Sequence, residues 1–223
     1  IGSPFAYAEQ ALVCMVTDLP SPREVTEDVF ARATAAALVE LVRATQGRML
    51  VLFTSHRMLA EVSWLISGRL EEEGYAVLTQ GAEGGRARLL DEFRCLPKAV
   101  LLGTSSFWEG VDVPGDTLSC VVVVRLPFWP PTLPIVEARM ESLEQRGISS
   151  FENYSLPQAV LRFRQGFGRL VRSRTDRGVV VVLDSRLASP RYRYGQKFLR
   201  ALPGPAVVSG PVSYLAERIS AWL

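Results

Sequence analysis

L-P-Q-A-V-L-R-F-R-Q-G-F-G-R-L-V-R, residues 156–172, is the stretch that decides how the rest of the chain is interpreted. Its apolar residues recur at helical spacing and predict one buried face: Leu156, Val160, Phe163, Phe167, Leu170 and Val171. Its planar hydrogen-bonding residues recur with the same period about half a turn away: Arg162, Gln165, Arg169 and Arg172. The pattern therefore predicts one helix that carries an apolar seam and an opposite polar stripe.

The polar stripe has two interpretations. Arginine suits a phosphate ligand because its rigid, permanently charged fork binds two oxygens at once. Gly166 and Gly168 fall inside the predicted helix, where glycine costs roughly 0.5–1 kcal/mol relative to alanine. That cost suggests that a ligand or another chain segment approaches the backbone closely. The alternative is an amphipathic helix with a solvated arginine face, and the pattern alone favours neither.

Composition limits the class of protein. With 223 residues, 48% hydrophobic and 22% charged, the chain is long and apolar enough for one large α/β domain or two small ones. A net charge of +2 means that any nucleic-acid surface must be local. The three cysteines are far apart without a C-x-x-C pair, so we expect buried thiols and neither a disulfide framework nor a metal site. No signal peptide or membrane-spanning run is present, which predicts a cytoplasmic piece of a longer protein.

Apolar strands alternate with helices along the chain. The predicted strands are residues 12–16, 49–53, 76–78, 99–102, 118–124 and 178–183. The predicted helices are residues 23–45, 57–73, 85–95, one ending near 146, 156–172, 196–201 and one from 212 to the end. Strands that are apolar on both faces predict a three-layer α/β/α fold with a mostly parallel sheet. Residues 1–22 are expected to form a lead-in strand and linker, and residues 23–223 the main lobe.

Functional residues of parallel sheets gather in the loops at the carboxyl ends of the strands. Three predicted loops qualify, at residues 54–57, 103–112 and 184–186. The second, G-T-S-S-F-W-E-G-V-D, offers hydroxyls and backbone amides that can hold phosphates without reading sequence. A helix cap followed by the turn Pro114-Gly115-Asp116 would explain the same residues.

Two of these motifs together resemble a known family. A strand-end G-x-x-x-x-x-E-G-x-D, followed about fifty residues later by Q-x-x-G-R-x-x-R, resembles motifs V and VI of superfamily-two helicases. Three longer motifs resemble the DinG/XPD-like family of ATP-dependent DNA helicases, and more specifically its bacterial DinG members. They are S-F-W-E-G-V-D-V-P-G-D, L-P-F-x-P-P-x-x-P and the arginine-rich stretch at residues 156–172. L-V-L-F-T-S at residues 50–55 is similar to that family's motif IV.

The resemblance implies a second RecA-like motor lobe, with ATP held between two lobes. Arg169 and Arg172 would reach across to the γ-phosphate, with Arg172 closest in role to an arginine finger. The resemblance also assigns supporting roles. Nucleotide contact and its coupling to the DNA grip fall to Gln165, Glu109, Gly110 and Asp112. Contact with single-stranded or forked DNA falls to Thr54, Ser55, Arg57, Thr104 and Trp108.

The chain departs from the complete helicase pattern in one respect. It contains no G-x-x-x-x-G-K-[ST] and no D-E-x-H box, so the lobe lacks its own P-loop. We therefore expect ATP and Mg²⁺ to be bound mainly by an N-terminal RecA-like lobe outside this chain. An iron–sulfur (4Fe-4S) cluster, where the family has one, would also belong to that lobe.

The resulting prediction is the C-terminal motor lobe of a DNA-repair helicase, inactive as an ATPase alone. The alternative is a nucleic-acid-binding or interaction module of RecA-like fold without motor function. The coding sequence before Ile1 discriminates between them, since a phosphate-loop lysine and an acidic box there support the motor.

Overall fold

A computed structural model describes residues 5–81, 85–108, 117–168, 170, 171, 173 and 176–223, apart from the side chains of Ser105 and Trp108. The strands in this part of the chain are β1 (Ala11–Val16), β2 (Met49–Leu52), β3 (Ala76–Thr79), β4 (Ala99–Gly103), β5 (Cys120–Val123), β6 (Gly178–Val182) and β7 (Ala206–Gly210). The helices are α1 (Tyr7–Gln10), α2 (Glu27–Thr45), α3 (His56–Glu72), α4 (Arg86–Cys95), α5 (Ser105–Trp108), α6 (Pro134–Gln145), α7 (Leu156–Phe167), α8 (Gly195–Arg200) and α9 (Val212–Trp222). A π-helical turn at Phe151–Ser155 leads into α7.

The described strands form one sheet in the order β3-β4-β2-β5-β6-β1-β7, and every neighbouring pair is parallel. The central strands β2, β4, β5 and β6 are buried along their whole length because helices cover both faces. Helices α2, α3 and α9 pack on one face, and α4, α5, α7 and α8 pack on the other. The predicted three-layer α/β/α fold is confirmed.

The first strand is an internal part of the sheet. Strand β1 is hydrogen-bonded to β6 on one side and to β7 on the other. Residues 11–16, which the sequence assigns to a lead-in, therefore share the sheet of the main lobe. Strand β7 was not predicted. It lies at the sheet edge, where Val207 is 47% exposed, so its sequence lacks the continuous apolar character of the central strands.

The prediction that one helix continues to Arg172 is wrong. Helix α7 ends at Phe167, and Gly168 follows it as the C-cap, with its amide donating to the Arg164 carbonyl at 3.0 Å. The described residues after it leave the helix so that Leu170 can pack against β6. The apolar spacing continues beyond Phe167 because Leu170 and Val171 are also buried, although they do not belong to the helix.

The cysteines only partly follow the prediction. Cys14 and Cys120 are buried in strands, but Cys95, the last residue of α4, is exposed. Its apolar neighbours in sequence face the sheet, whereas a helix places successive residues in different directions. Within the described residues, no helix combines the length and apolar composition needed to cross a membrane.

Candidate nucleotide and nucleic-acid interface

The loops that follow four adjacent strands lie side by side at one edge of the sheet. Strands β4, β2, β5 and β6 are neighbours in that order, and all point the same way. Backbone hydrogen bonds between neighbouring segments continue the sheet pairing at the carboxyl ends of these strands. Phe53 donates to the Gly103 carbonyl at 2.8 Å, and Leu183 donates to the Val123 carbonyl at 3.0 Å. The sheet therefore brings the three predicted loops to a common edge.

Thr104, directly after β4, belongs to a polar network. Its amide and hydroxyl donate to Oε1 of Gln80 at 2.7 and 3.0 Å, and its Oγ1 lies 3.2 Å from Nε2 of His56. Gln80 also donates from Nε2 to Oγ of Ser106 at 3.1 Å. Thr104 is 3% exposed, so its hydroxyl is turned inward in this conformation. The network ties the ends of β3 and β4 to the start of α3.

Gln80 is a residue of this site that the sequence analysis missed. It follows β3 directly, so its position at the carboxyl end of a strand was a usable signal. No motif contains it. Its role is set by the placement of β3 beside β4, a pairing between segments about twenty residues apart that local pattern does not encode.

Three further predicted DNA-binding residues surround the start of α3. Ser55 is exposed and is the N-cap of the helix, where its hydroxyl accepts a hydrogen bond from the Met58 amide at 3.3 Å. Thr54 is partly buried, and Arg57 is exposed in the first turn of the helix. A hydroxyl and a cation at an N-terminal helix end form an arrangement compatible with a phosphate.

The loop after β4 begins with a short helix fixed by a close contact. A β-carbon at Gly103 would lie 2.6 Å from ring atoms of Phe107, which is fully buried. Phe107 is therefore a core residue. The predicted residues Glu109, Gly110 and Asp112, and the side chain of Trp108, lie outside the described part.

Helix α7 presents Gln165 in its last turn. The side chain is partly exposed, yet its Oε1 is buried and has no hydrogen-bond partner among the described residues. A buried acceptor without a partner costs about 1–3 kcal/mol, so this oxygen is an available contact point. Gln165 thus lies close in sequence to Arg169 and Arg172, which follow the end of the helix.

Arg162 does not form part of a solvated face. It is 8% exposed, donates from Nη1 to the Pro127 carbonyl at 3.1 Å, and stacks over Trp129 with its guanidinium carbon 3.9 Å from the ring centre. Its position in the polar stripe serves to bind the proline-rich loop after β5. A uniformly solvated arginine face is therefore excluded for this helix.

The arginine segment, which we define as residues 168–173, is anchored between its two arginines. Leu170 and Val171 are 1% and 5% exposed, and Leu170 packs on Gly178 at the start of β6. Arg169 and Arg172 themselves lie outside the described residues. The last residue of the segment, Ser173, donates from its amide to Oδ2 of Asp176 at 2.8 Å.

Asp184, after β6, is a second polar centre at this edge. It is 1% exposed and accepts hydrogen bonds from the Leu126 amide at 2.9 Å and from Nε of Arg186 at 2.8 Å. Burial acts to lower the pKa of Arg186, but the hydrogen bonds and charge of Asp184 outweigh it and raise that pKa above its ordinary value. The described hydrogen bonds of Asp184 join the loops after β5 and β6.

No cluster of three or more His, Cys, Asp or Glu side chains that could hold a metal ion occurs in the described ranges. Ser55 and Arg57 are exposed groups at this edge that suit an oxyanion.

The fold is that of a RecA-like helicase lobe. It is similar to the structure of an XPD helicase, with a TM-score of 0.61 at 17% identity over 90% of this chain and 36% of that one. It is also similar to S. cerevisiae Dbp5 bound to RNA and ADP BeF3, with a TM-score of 0.58 at 16% identity over 97% of this chain and 46% of that one.

Residues 38–204 match the helicase C-terminal domain model. The chain belongs to this family, as a C-terminal domain of the DinG/XPD-like superfamily-two helicases. The predicted resemblance is confirmed.

Curated relatives support the same assignment. The chain is 41% identical to the "3'-5' exonuclease DinG" of Bacillus subtilis over 93% of its own length and 22% of that protein. It is 42% identical to the "ATP-dependent DNA helicase YoaA" of Escherichia coli over 91% of its length and 30% of that protein. The chain thus spans less than a third of the curated relatives described.

Proposed function

We propose that this chain is the C-terminal motor lobe of an ATP-dependent DNA helicase, and that it completes an ATP site formed mainly by a preceding RecA-like lobe. The observation that carries the proposal is the anchored arginine segment, found at the end of α7 in a helicase C-terminal domain. Leu170 and Val171 hold the segment to the core. We propose that Arg169 and Arg172, which flank this anchor in sequence, act on a ligand.

The proposed task of Arg169 and Arg172 is electrostatic. On closure of the two lobes they would reach the γ-phosphate and stabilise the charge of the transition state, with Arg172 as the finger. Such an arginine is worth about 10³- to 10⁵-fold in rate in related nucleotide hydrolases. Gln165 would support the nucleotide, which agrees with a buried Oε1 that lacks a partner among the described residues.

The loop after β4 is the proposed link between the nucleotide and the DNA. Its residues Glu109, Gly110 and Asp112 follow a helix that Phe107 fixes to the sheet. Through these residues, closure of the ATP site would be converted into a change of DNA contacts. Hydrolysis would then reopen the cleft between the two lobes. Alternating tight and weak DNA binding would move the protein stepwise along the strand.

The proposed grip on single-stranded DNA uses the neighbouring loops. Thr104 is buried and its hydroxyl donates to Gln80, so its proposed part is to hold the loop after β4 beside the start of α3 through His56. The residues proposed to reach the phosphates are Thr54, Ser55 and Arg57, which lie around the start of α3. Contacts of this kind bind phosphates and carry no sequence information. Trp108 would add base stacking, which tolerates every sequence because each base has an aromatic face.

The chain alone is proposed to be inactive as an ATPase. It contains neither a P-loop nor an acidic box, so it has no lysine cradle for the phosphates and no carboxylate placed for Mg²⁺. The N-terminal lobe of the same protein would supply both and is the first partner we propose. A cytoplasmic protein that acts on single-stranded or forked DNA, with a role in repair, is the corresponding cellular assignment.

The deciding experiment is DNA-stimulated ATP hydrolysis by the full-length protein, wild type beside Arg172→Ala. We expect single-stranded DNA to stimulate the wild type, and the substitution to abolish most turnover while DNA binding stays nearly intact. Equal loss of turnover and DNA binding would exclude the finger role of Arg172. A full-length protein without ATPase under any DNA condition would exclude the motor and leave a binding module.

A further inference from the structure

We infer that Gln10 is a positioning residue that holds the arginine segment in place from the opposite end of the chain. Gln10, the last residue of α1, is 7% exposed. Its Nε2 donates to the carbonyls of Ser173 at 3.0 Å and Asp176 at 2.9 Å. Its Oε1 accepts from the Ala6 amide at 3.0 Å. The inference rests on the proposed function, because it concerns how the proposed finger is placed.

These three bonds use both amide hydrogens and the acceptor of one side chain. A buried primary amide is tolerated when its hydrogen bonds are made, and a completed set fixes its orientation. Only an amide of this length supplies two donors to one side and an acceptor to the other. Glutamate has the same shape but would turn an oxygen toward two carbonyls.

The two residues that Gln10 contacts are also hydrogen-bonded to each other. Ser173 donates from its amide to Oδ2 and from its hydroxyl to Oδ1 of Asp176, at 2.8 and 2.5 Å. The Asp176 amide donates back to Oγ of Ser173 at 3.2 Å. Gln10 therefore contacts two mutually bonded residues, and the first of them, Ser173, directly follows Arg172 in sequence.

The same short helix also touches the other end of the arginine segment. The ring of Tyr7 lies 5.8 Å from the ring of Phe167, the last residue of α7, and the ring of Phe5 lies 5.7 Å from that of Tyr7. Residues 5–10 thus contact the chain just before Arg169 and just after Arg172. Strand β1 follows directly, so residues 5–10, which we call the clamp, are attached to an internal strand of the sheet.

The clamp matters because a catalytic arginine tolerates little displacement. A misplacement of about 1 Å can cost on the order of 100-fold in rate even when the substituted residue is remote from the chemistry. Gln10 contacts the backbone of the segment and not the ligand, so its loss would affect the transition state more than ground-state binding.

The test uses the full-length protein with Gln10→Glu, and Thr45→Val as the matched control. Thr45 is also a buried polar residue, and its hydroxyl donates to the Leu41 carbonyl at 2.9 Å in α2, on the other face of the sheet. We expect Gln10→Glu to lower kcat of DNA-stimulated ATP hydrolysis about tenfold or more. KM for ATP and the Kd for single-stranded DNA should stay within about twofold. Affinity for ADP with aluminium fluoride should fall in parallel with kcat, and affinity for ADP alone should not.

Thr45→Val should lower the Tm without these changes. If Gln10→Glu does not fold, Gln10→Met, which has similar length and no charge, removes the same donors. A kcat for the Gln10 variant equal to that of the control at matched thermal stability would overturn the inference. So would equal loss of affinity for ADP and for the transition-state mimic.

The outcomes also separate the two proposals. An active wild type that Arg172→Ala silences and the Gln10 variants leave unchanged would overturn only the role of Gln10. A wild type without ATPase would overturn the proposed function and this inference together.

Discussion

Leu170 packs directly on the backbone of Gly178. A β-carbon at position 178 would lie 2.9 Å from Cδ2 and 3.0 Å from Cβ of Leu170. Leu170 stands between the two arginines in sequence, and Gly178 begins a central strand of the sheet. Leu170 therefore connects the core of the domain to the proposed catalytic segment.

Replacing Gly178 with alanine should displace Leu170. We expect Gly178→Ala to lower the free energy of unfolding by about 1–3 kcal/mol, because the added carbon overpacks a full site. It should also reduce kcat of the full-length ATPase, since the arginine segment moves with Leu170. Urea denaturation and DNA-stimulated ATP hydrolysis measure the two effects.

Gly68 provides the control for this substitution. It lies inside α3 and is exposed, and a β-carbon there would meet nothing within 4 Å. Gly68→Ala should stabilise the domain by roughly 0.5–1 kcal/mol and leave kcat unchanged. Unchanged kcat in Gly178→Ala despite lower stability would show that Leu170 does not position the arginines.

Substitutions at Ser55 separate its capping role from the proposed phosphate contact. Ser55→Ala removes the bond to the Met58 amide and should cost about 1 kcal/mol. Ser55→Asp keeps a good N-cap but adds a negative charge at the proposed DNA grip. We expect Ser55→Asp to be stable and to bind single-stranded DNA more weakly than wild type, as measured by fluorescence anisotropy at fixed salt. Wild-type affinity in Ser55→Asp would remove Ser55 from the interface.

Breaking the buried ion pair between Asp184 and Arg186 should strongly destabilise the fold. Asp184→Ala leaves Arg186 without its carboxylate, with side chains 0% and 9% exposed in the intact pair. We expect a loss of about 3–5 kcal/mol in the free energy of unfolding. The control is Arg32→Ala, which removes an ion pair with Asp28 whose side chains are 68% and 59% exposed, and should leave the urea midpoint nearly unchanged. Equal urea midpoints for the two variants would contradict a structural role for Asp184.

The thiols should differ sharply in reactivity. Burial raises the pKa of Cys14 to about 12, partly opposed by Arg218, and burial also raises the pKa of Cys120. The thiolate is the reactive form, so at about pH 8 neither buried group ionises appreciably in the folded chain. We expect only exposed Cys95 to react with Ellman's reagent or iodoacetamide in the native chain, and Cys14 and Cys120 to react after denaturation. Modification of Cys14 at the native rate of Cys95, seen by peptide mass spectrometry, would contradict the described burial.

Local pattern was sufficient for the class of fold. Strands such as β2 and β6 are apolar along their whole length, which occurs when both faces of a sheet are covered, and this predicted the parallel three-layer architecture. The motif words around residues 103–112 and 156–172 identified the family because several specific stretches occur in the correct order. Both kinds of information are contained in neighbouring residues.

Where helices and strands begin and end depended on tertiary packing, which the local sequence does not reveal. The apolar period that predicted a helix as far as residue 172 continues through Leu170, yet α7 ends at Phe167. Leu170 is buried against β6 rather than along the helix seam, and burial looks the same in sequence for either geometry. Strand β7 was missed for the opposite reason, since an edge strand is buried too little to appear as a continuous apolar run.

The polar contacts of the site were decided by tertiary structure alone. Gln80 reaches Thr104 because β3 lies beside β4, and Gln10 reaches Ser173 because β1 lies beside β6. Side-chain amides carry no periodic signal, and their partners are backbone groups or hydroxyls that almost any sequence supplies. Hydrophobic period thus determined which segments become strands and helices, while the order of strands in the sheet decided which polar groups meet, because hydrogen bonds act only over about 3 Å.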